Sequence, residues 1–120
     1  MADPVVTKKP AMTRTLTKRE RLVLLSLRPH ARLHARSLLV ACPDLRATSG
    51  LRTRERNRAV GGSPSSFHVR GRACDFVAEP GYLQWAAGVA RQQRVTPACT
   101  GPEEVLVHDA GSGLHLHVAW

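Results

Sequence analysis

Two separated groups of residues in this chain have the types and spacing of a metal site. The first lies in the segment 66–75, SFHVRGRACD, which carries His68 and Asp75. The second is His115-Leu-His117, whose two histidines project from one face of a strand because strand side chains alternate. Catalytic zinc typically keeps three protein ligands, drawn from imidazole nitrogens and carboxylate oxygens, and one open position. These residues therefore predict a zinc site, with one histidine left over for proton transfer.

Each of these residues has a more common explanation when it is taken alone. A single histidine is more often a hydrogen-bonded core or surface residue than a ligand, and a single aspartate is more often solvated. Gly71 and Ala73, however, are expected to share the strand face of Asp75 and to clear space beside it. The joint occurrence favours a metal site.

The elements that must position these residues are predicted from capping signals and hydrophobic spacing. Thr17 and Glu20 form a capping-box pattern that begins a helix ending at Leu27, and Pro29 suits the first turn of a second helix ending at Ala41. Two further helices and four strands follow, with the last two strands joined as a hairpin across 108–113. The predicted helices cover 53–60 and 80–93, and the predicted strands cover 45–49, 70–77, 104–107 and 114–120.

The order of these elements predicts an α+β fold, in which N-terminal helices pack on a central antiparallel sheet. The helix over 80–93 is expected to turn inward its apolar residues Leu83, Trp85, Ala86 and Val89. A length of 120 residues allows one domain, assigned to 16–120 after a flexible basic leader over 1–15.

Positive charge is concentrated in the first half of the chain. Residues 1–58 carry fourteen Lys and Arg against four Asp and Glu, whereas residues 59–120 carry four against five. A cationic surface of this kind attracts anionic polymers such as nucleic acid, anionic lipid or cell-wall polymers. Aromatic residues make up only 4% of the chain, so a base-stacking platform is not expected and nucleic acid is not the favoured partner.

The sequence has no run of eighteen uncharged apolar residues and no secretory signal pattern. We therefore expect synthesis in the cytoplasm, and an extracellular role would require a separate release route. The three cysteines, Cys42, Cys74 and Cys99, include no C-x-x-C pair and are expected to be reduced and packed.

The pattern Ser66-x-His68-x-x-Gly71-x-Ala73-x-Asp75, followed by His-x-His at 115–117, resembles the signature of the M15 zinc peptidases. That family includes D-alanyl-D-alanine carboxypeptidases, D-Ala-D-Ala dipeptidases and phage endolysins that cut L-Ala-D-Glu bonds. The resemblance covers about residues 45–120 and includes the upstream stretch 48–52, TSGLR.

The resemblance implies a role for five residues. His68, Asp75 and His117 would bind one zinc ion, Arg52 would face the substrate, and Ser66 would lie beside the metal in a supporting or substrate-contacting role. It also implies a small domain of the hedgehog/DD-peptidase type, in agreement with the predicted elements.

One position departs from the pattern of many family members. These carry Glu or Asp, as general base, three residues before the last histidine ligand, where this chain has Leu114. A carboxypeptidase branch carries His-x-His instead, which makes His115 the candidate general base and acid, with Asp109 or His108 as orienting partner or substitute. If the match to the family pattern is shifted, His115 would be the metal ligand and His117 would not bind the metal.

The expected function is therefore zinc-dependent hydrolysis of D-amino-acid-containing peptide bonds in bacterial peptidoglycan. D-Ala-D-Ala carboxypeptidase and L-Ala-D-Glu endopeptidase activities both remain open, and the missing signal pattern favours a phage or prophage endolysin. The alternative is a non-enzymatic protein that retains the fold, either a phage structural protein or a protein that binds anions or nucleic acid. The absent acid at Leu114 and the high charge favour this alternative.

Overall fold

Two helices begin the described part of the chain, and each starts at a local signal in the sequence. A computed structural model describes residues 14–93, 101–109 and 113–120. Helix α1 covers Lys18–Leu25, and both hydrogen bonds of the capping box between Thr17 and Glu20 are formed. Helix α2 covers Pro29–Ala41 and begins at the proline, whose fixed φ and missing N–H suit a first helical turn.

Four antiparallel strands form one sheet in the order β1-β2-β4-β3. Strand β1 covers Arg46–Ser49, β2 covers Ala73–Val77, β3 covers Glu104–Asp109 and β4 covers Leu114–Ala119. Helix α3, Arg54–Ala59, lies between β1 and β2 in the sequence, and helix α4, Pro80–Arg91, lies between β2 and β3. The predicted α+β class with an antiparallel sheet is confirmed.

The hydrophobic core lies between the helices and one face of the sheet. Strands β2 and β4 contribute Cys74, Phe76, Leu116 and Val118, all fully buried, and alternate residues of the same strands face the opposite side. Helices α1, α2 and α4 and the connection between α1 and α2 cover this face with mostly aliphatic side chains, among them Leu24, Leu27, Ala31, Ala35, Leu38, Leu39, Leu83, Ala86, Ala87 and Ala90. The opposite face of the two central strands is thereby left for polar side chains.

The inner face of α4 differs from the prediction. Trp85 is 53% exposed and packs against Tyr82, with ring centroids 5.3 Å apart. Ala87 and Ala90 are fully buried instead. The prediction for Trp85 was wrong because the buried residues of α4 follow the helical period, and position 85 lies on the other side of the helix.

The strand predicted from Arg70 begins only at Ala73. Gly71 has φ = 70°, in the left-handed region, and lies in a turn rather than on the strand face of Asp75. Its carbonyl accepts a hydrogen bond from the Arg28 N–H at 2.8 Å, which joins this turn to the start of α2. Gly71 therefore shapes the loop before the strand.

Several predictions concern segments outside the described residues. The leader over 1–15 lies outside them except for its last two residues, where Arg14 donates hydrogen bonds to the carbonyl oxygens of Pro43 and Leu45. Cys99 also lies outside them, whereas Cys42 and Cys74 are buried free thiols, as expected. Within the described ranges, no helix is long and apolar enough to cross a membrane.

Candidate metal centre

The central pair of strands places an aspartate directly opposite a histidine. In the antiparallel register of β2 and β4, Asp75 pairs with His117. Both side chains point away from the core, because Cys74, Phe76, Leu116 and Val118 occupy the alternate positions. The distance from His117 Nδ1 to Asp75 Oδ1 is 3.1 Å.

His68 reaches the same point from the loop before β2 and is held there by backbone groups. Its Nδ1 lies 2.8 Å from the Gly50 carbonyl oxygen, and its own carbonyl accepts the Arg52 N–H at 3.0 Å. A Cβ at Gly50 would lie 2.8 Å from the Val23 carbonyl oxygen, so the close approach of this loop to α1 requires glycine. The imidazole is consequently buried with Nε2 directed at Asp75, 3.0 Å from Oδ1.

The three side chains form a donor set that fits a zinc ion. One ligand atom from each of His68, Asp75 and His117 lies within 4.8 Å of the others. A tetrahedral ion with bonds of about 2.0–2.2 Å holds its ligand atoms about 3.3–3.6 Å apart. The two imidazole nitrogens lie 3.0 and 3.1 Å from Asp75 Oδ1, close to this spacing. Two imidazole nitrogens and one carboxylate oxygen are also the donor types that catalytic zinc uses.

Electrostatic coupling at the site favours an ionised aspartate. Burial alone would raise the pKa of Asp75, but hydrogen bonds from His117 and His68 and their positive charge hold that pKa well below its usual range. Burial would likewise lower the pKa of His117, but hydrogen bonds to Asp75 and Glu104 raise it overall. The ionised carboxylate therefore favours a cation beside it, such as a metal ion.

Arg52 and Ser66 both line the cleft at this site. Arg52 Nη2 is 3.7 Å from Asp75 Oδ2, and its Nη1 donates to Asn57 Oδ1 at 3.0 Å. Ser66 Oγ accepts the His68 N–H at 3.1 Å. Arg52 thus faces the cleft from the α3 side, and Ser66 supports the His68 loop.

His115 lies beside the donor set rather than within it. Its Nε2 is 4.0 Å from Asp75 Oδ2, and its side chain is 12% exposed. His108 pairs with it across β3 and β4, with ring centroids 4.5 Å apart. Asp109 pairs instead with Leu114, and its Oδ1 accepts the Gly113 N–H at 3.2 Å. Of the two partners considered for His115, His108 is the one in ring contact with it.

Glu104 is a site residue that the sequence did not indicate. Its Oε1 lies 2.8 Å from His117 Nε2, on the side of the ring away from Asp75. The strand containing Glu104 was predicted, but only the β3–β4 pairing brings this side chain to His117. A sequence pattern that predicts a hairpin does not give its register, so it cannot indicate which side chains meet across the two strands.

An open cleft of about 590 Å³ adjoins the three donors. Arg52 and Arg56 contribute positive charge to it, and Val60, Val77 and Leu106 contribute apolar surface. The remaining lining is mostly polar and includes Thr48, Ser49, Ser66, His108, His115 and His117. A cleft of this kind can admit a short peptide with anionic groups beside the metal position.

The family model for Peptidase M15 matches residues 35–109 of the 120, and the chain therefore belongs to this family. The matched range contains Arg52, Ser66, His68 and Asp75 and ends before His117, which the β2–β4 register brings to the same site. The resemblance found in the sequence is thus confirmed, and the chain is a peptidase of this general kind. Neither the curated proteins nor the solved structures yielded a match.

Proposed function

We propose that this chain is a zinc-dependent peptidase that cleaves D-amino-acid-containing peptide bonds of bacterial peptidoglycan. The two activities considered are D-Ala-D-Ala carboxypeptidase and L-Ala-D-Glu endopeptidase, the latter as a phage or prophage endolysin. The observation that carries the proposal is the convergence of His68, Asp75 and His117 at an open cleft in a member of the Peptidase M15 family. These three residues would hold one zinc ion.

A bound zinc ion would polarise the scissile carbonyl and make hydroxide available near neutral pH. His115 Nε2 would accept a proton as water adds to the carbonyl carbon. It would then return that proton to the amine nitrogen as the C–N bond breaks. The 4.0 Å separation of His115 from Asp75 Oδ2 supports this role, because it places the ring beside the donors without making it one of them.

Arg52 would stabilise the negative charge that develops on the carbonyl oxygen, or bind a substrate carboxylate. Its guanidinium is oriented by the hydrogen bond to Asn57, and the Asn57 side chain in turn donates to the Ser63 carbonyl at 2.7 Å. Orientation in advance matters because a group that is already placed needs no reorganisation during the reaction. Arg56 adds a second positive charge to the cleft, which suits anionic stem peptides of the wall.

The proposal is tested by incubating the zinc-loaded protein with several purified peptidoglycan types and analysing released products by mass spectrometry. Loss of a terminal D-Ala would identify a carboxypeptidase, and stem peptides freed at L-Ala-D-Glu would identify an endopeptidase. Chelator-treated protein and the His68→Ala variant serve as controls, and both should release nothing. No release by protein shown to hold zinc would contradict the proposal and favour a non-enzymatic binding protein.

The basic first half of the chain would attach the enzyme to anionic wall polymers. Exposed arginines of this half include Arg54, Arg56 and Arg58 on α3, next to the cleft. Electrostatic attachment weakens as ionic strength rises, because the screening length is about 10 Å at 0.1 M salt and 3 Å at 1 M. Retention on purified walls should therefore fall steeply between these concentrations, and salt-independent retention would contradict this role.

A further inference from the structure

We propose that Glu104 is a positioning residue that selects the nitrogen with which His117 binds the metal and strengthens that bond. The proposal rests on the zinc site proposed above. It concerns a side chain that lies outside the group of three donors and outside the sequence signature.

The two ring nitrogens of His117 have different carboxylate partners. Nδ1 lies 3.1 Å from Asp75 Oδ1, and Nε2 lies 2.8 Å from Glu104 Oε1. An ionised carboxylate only accepts hydrogen bonds, so the contact with Glu104 keeps a proton on Nε2. A metal ion that replaces the proton on Nδ1 therefore binds through that nitrogen, which is the one that faces Asp75.

His68 provides an internal comparison for this arrangement. Its Nδ1 lies 2.8 Å from the Gly50 carbonyl oxygen, which leaves Nε2 to face Asp75 Oδ1 at 3.0 Å. Each ligating histidine thus has an outer acceptor that orients its ring, as metal-binding histidines commonly do. The difference is that His68 has a neutral backbone carbonyl, whereas His117 has a charged side chain.

That difference makes the His117 side of the site sensitive to one side-chain substitution. A carboxylate acceptor raises the basicity of the imidazole more than a carbonyl does and adds negative charge near the bound cation. The Glu104 side chain is 42% exposed, so it is accessible to solvent and can be truncated without leaving a buried cavity. Loss of the carboxylate should therefore weaken zinc binding while the fold persists.

The neighbouring residue offers a matched control. Glu103 is also acidic and immediately precedes β3, but it pairs with Arg72, and its N–H donates to the Ala119 carbonyl at 2.7 Å. Glu103→Ala removes the same charge one residue away without changing the contact to His117. A general effect of charge on zinc affinity would appear in both variants, whereas an effect through His117 would appear only in Glu104→Ala.

The experiment measures the zinc dissociation constant of purified wild type, Glu104→Ala, Glu104→Gln and Glu103→Ala by competition with a chromophoric chelator at fixed pH. Glu104→Ala should bind zinc about 10–100-fold more weakly. Glu104→Gln should recover part of this loss, because the amide oxygen still accepts the Nε2 proton. Glu103→Ala should stay within about twofold of wild type, since its contact lies away from the donors.

A second readout reports directly on the ring. Nitrogen-15 NMR of the zinc-loaded wild type should show His117 with the proton on Nε2 and the metal on Nδ1. In Glu104→Ala, a smaller fraction of His117 should have this arrangement. Unchanged zinc affinity in Glu104→Ala, or equal losses in Glu104→Ala and Glu103→Ala, would overturn the proposal. If wild type binds no zinc, the proposed function fails as well; if it binds zinc tightly but releases nothing from walls, only the proposed function fails.

Discussion

We expect that replacing His115 with alanine removes the proposed proton transfer and leaves the proposed metal binding at this site. The His115 ring lies in the cleft, yet its Nε2 is 4.0 Å from Asp75 Oδ2 and it is not among the three converging donors. Its Nδ1 is 3.3 Å from the Gly113 carbonyl oxygen, a contact at the exposed end of the hairpin. We therefore expect His115→Ala to retain zinc in a one-to-one ratio and to lose turnover.

The size of the loss follows from the role assigned to this ring. General acid–base catalysis by a placed side chain contributes about 10²–10⁴-fold, which corresponds to about 2.7–5.5 kcal/mol of activation free energy. The ring forms none of the anchoring hydrogen bonds that hold His68 or His117 in place. The loss should consequently appear in kcat with little change in KM.

The assay compares wild type, His115→Ala and His108→Ala on the peptidoglycan fragment that wild type cleaves, with zinc content measured on the same samples. His108→Ala is the matched control, because its ring contacts His115 and lines the same cleft. The activity of His108→Ala should fall by less than about tenfold if His108 only orients His115. Full activity in His115→Ala would refute the assignment, and a larger loss in His108→Ala would transfer the role of base to His108.

Three further predictions address the ligands and the scaffold. His68→Ala leaves two donors, so it should lose both zinc on dialysis and activity; equimolar zinc retained in metal analysis would contradict the ligand assignment. The pKa of His117 is raised in the folded protein. The stabilisation that this histidine contributes is therefore complete below about pH 6.5, and it is lost as the pH rises through the pKa of the folded state. Urea denaturation of metal-free protein should therefore give a lower free energy of unfolding at pH 8 than at pH 6, and His117→Asn should reduce this difference. Glu20 is buried and accepts hydrogen bonds from Arg14 and the Ala47 N–H, so Glu20→Ala should destabilise the protein by about 3–5 kcal/mol in chemical denaturation. A loss below about 1 kcal/mol would contradict this prediction, because the Arg14–Glu20 pair would then contribute no more than a surface ion pair does.

Local signals in the sequence were sufficient for most elements of the fold. The capping box at Thr17 and the proline at Pro29 act within one helical turn, so they mark helix starts without any tertiary information. The exposed Trp85 shows where hydrophobicity alone fails, because the residue is apolar but lies outside the buried stripe of α4. The turn at Gly71 likewise lies within the range predicted as strand, because neither its positive φ nor its contact with Arg28 is visible in the sequence pattern.

The identities and spacings of residues by themselves determined the chemistry of the candidate centre. Alternation along a strand is a local property, so the shared face of His115 and His117 could be recognised from the sequence. Only the tertiary structure decides which side chains lie next to them. The β2–β4 register sets Asp75 against His117, and the β3–β4 pairing brings Glu104 to the far side of the same ring. These contacts join residues far apart in the chain, and a one-residue change of strand register would turn the same side chains to the opposite face.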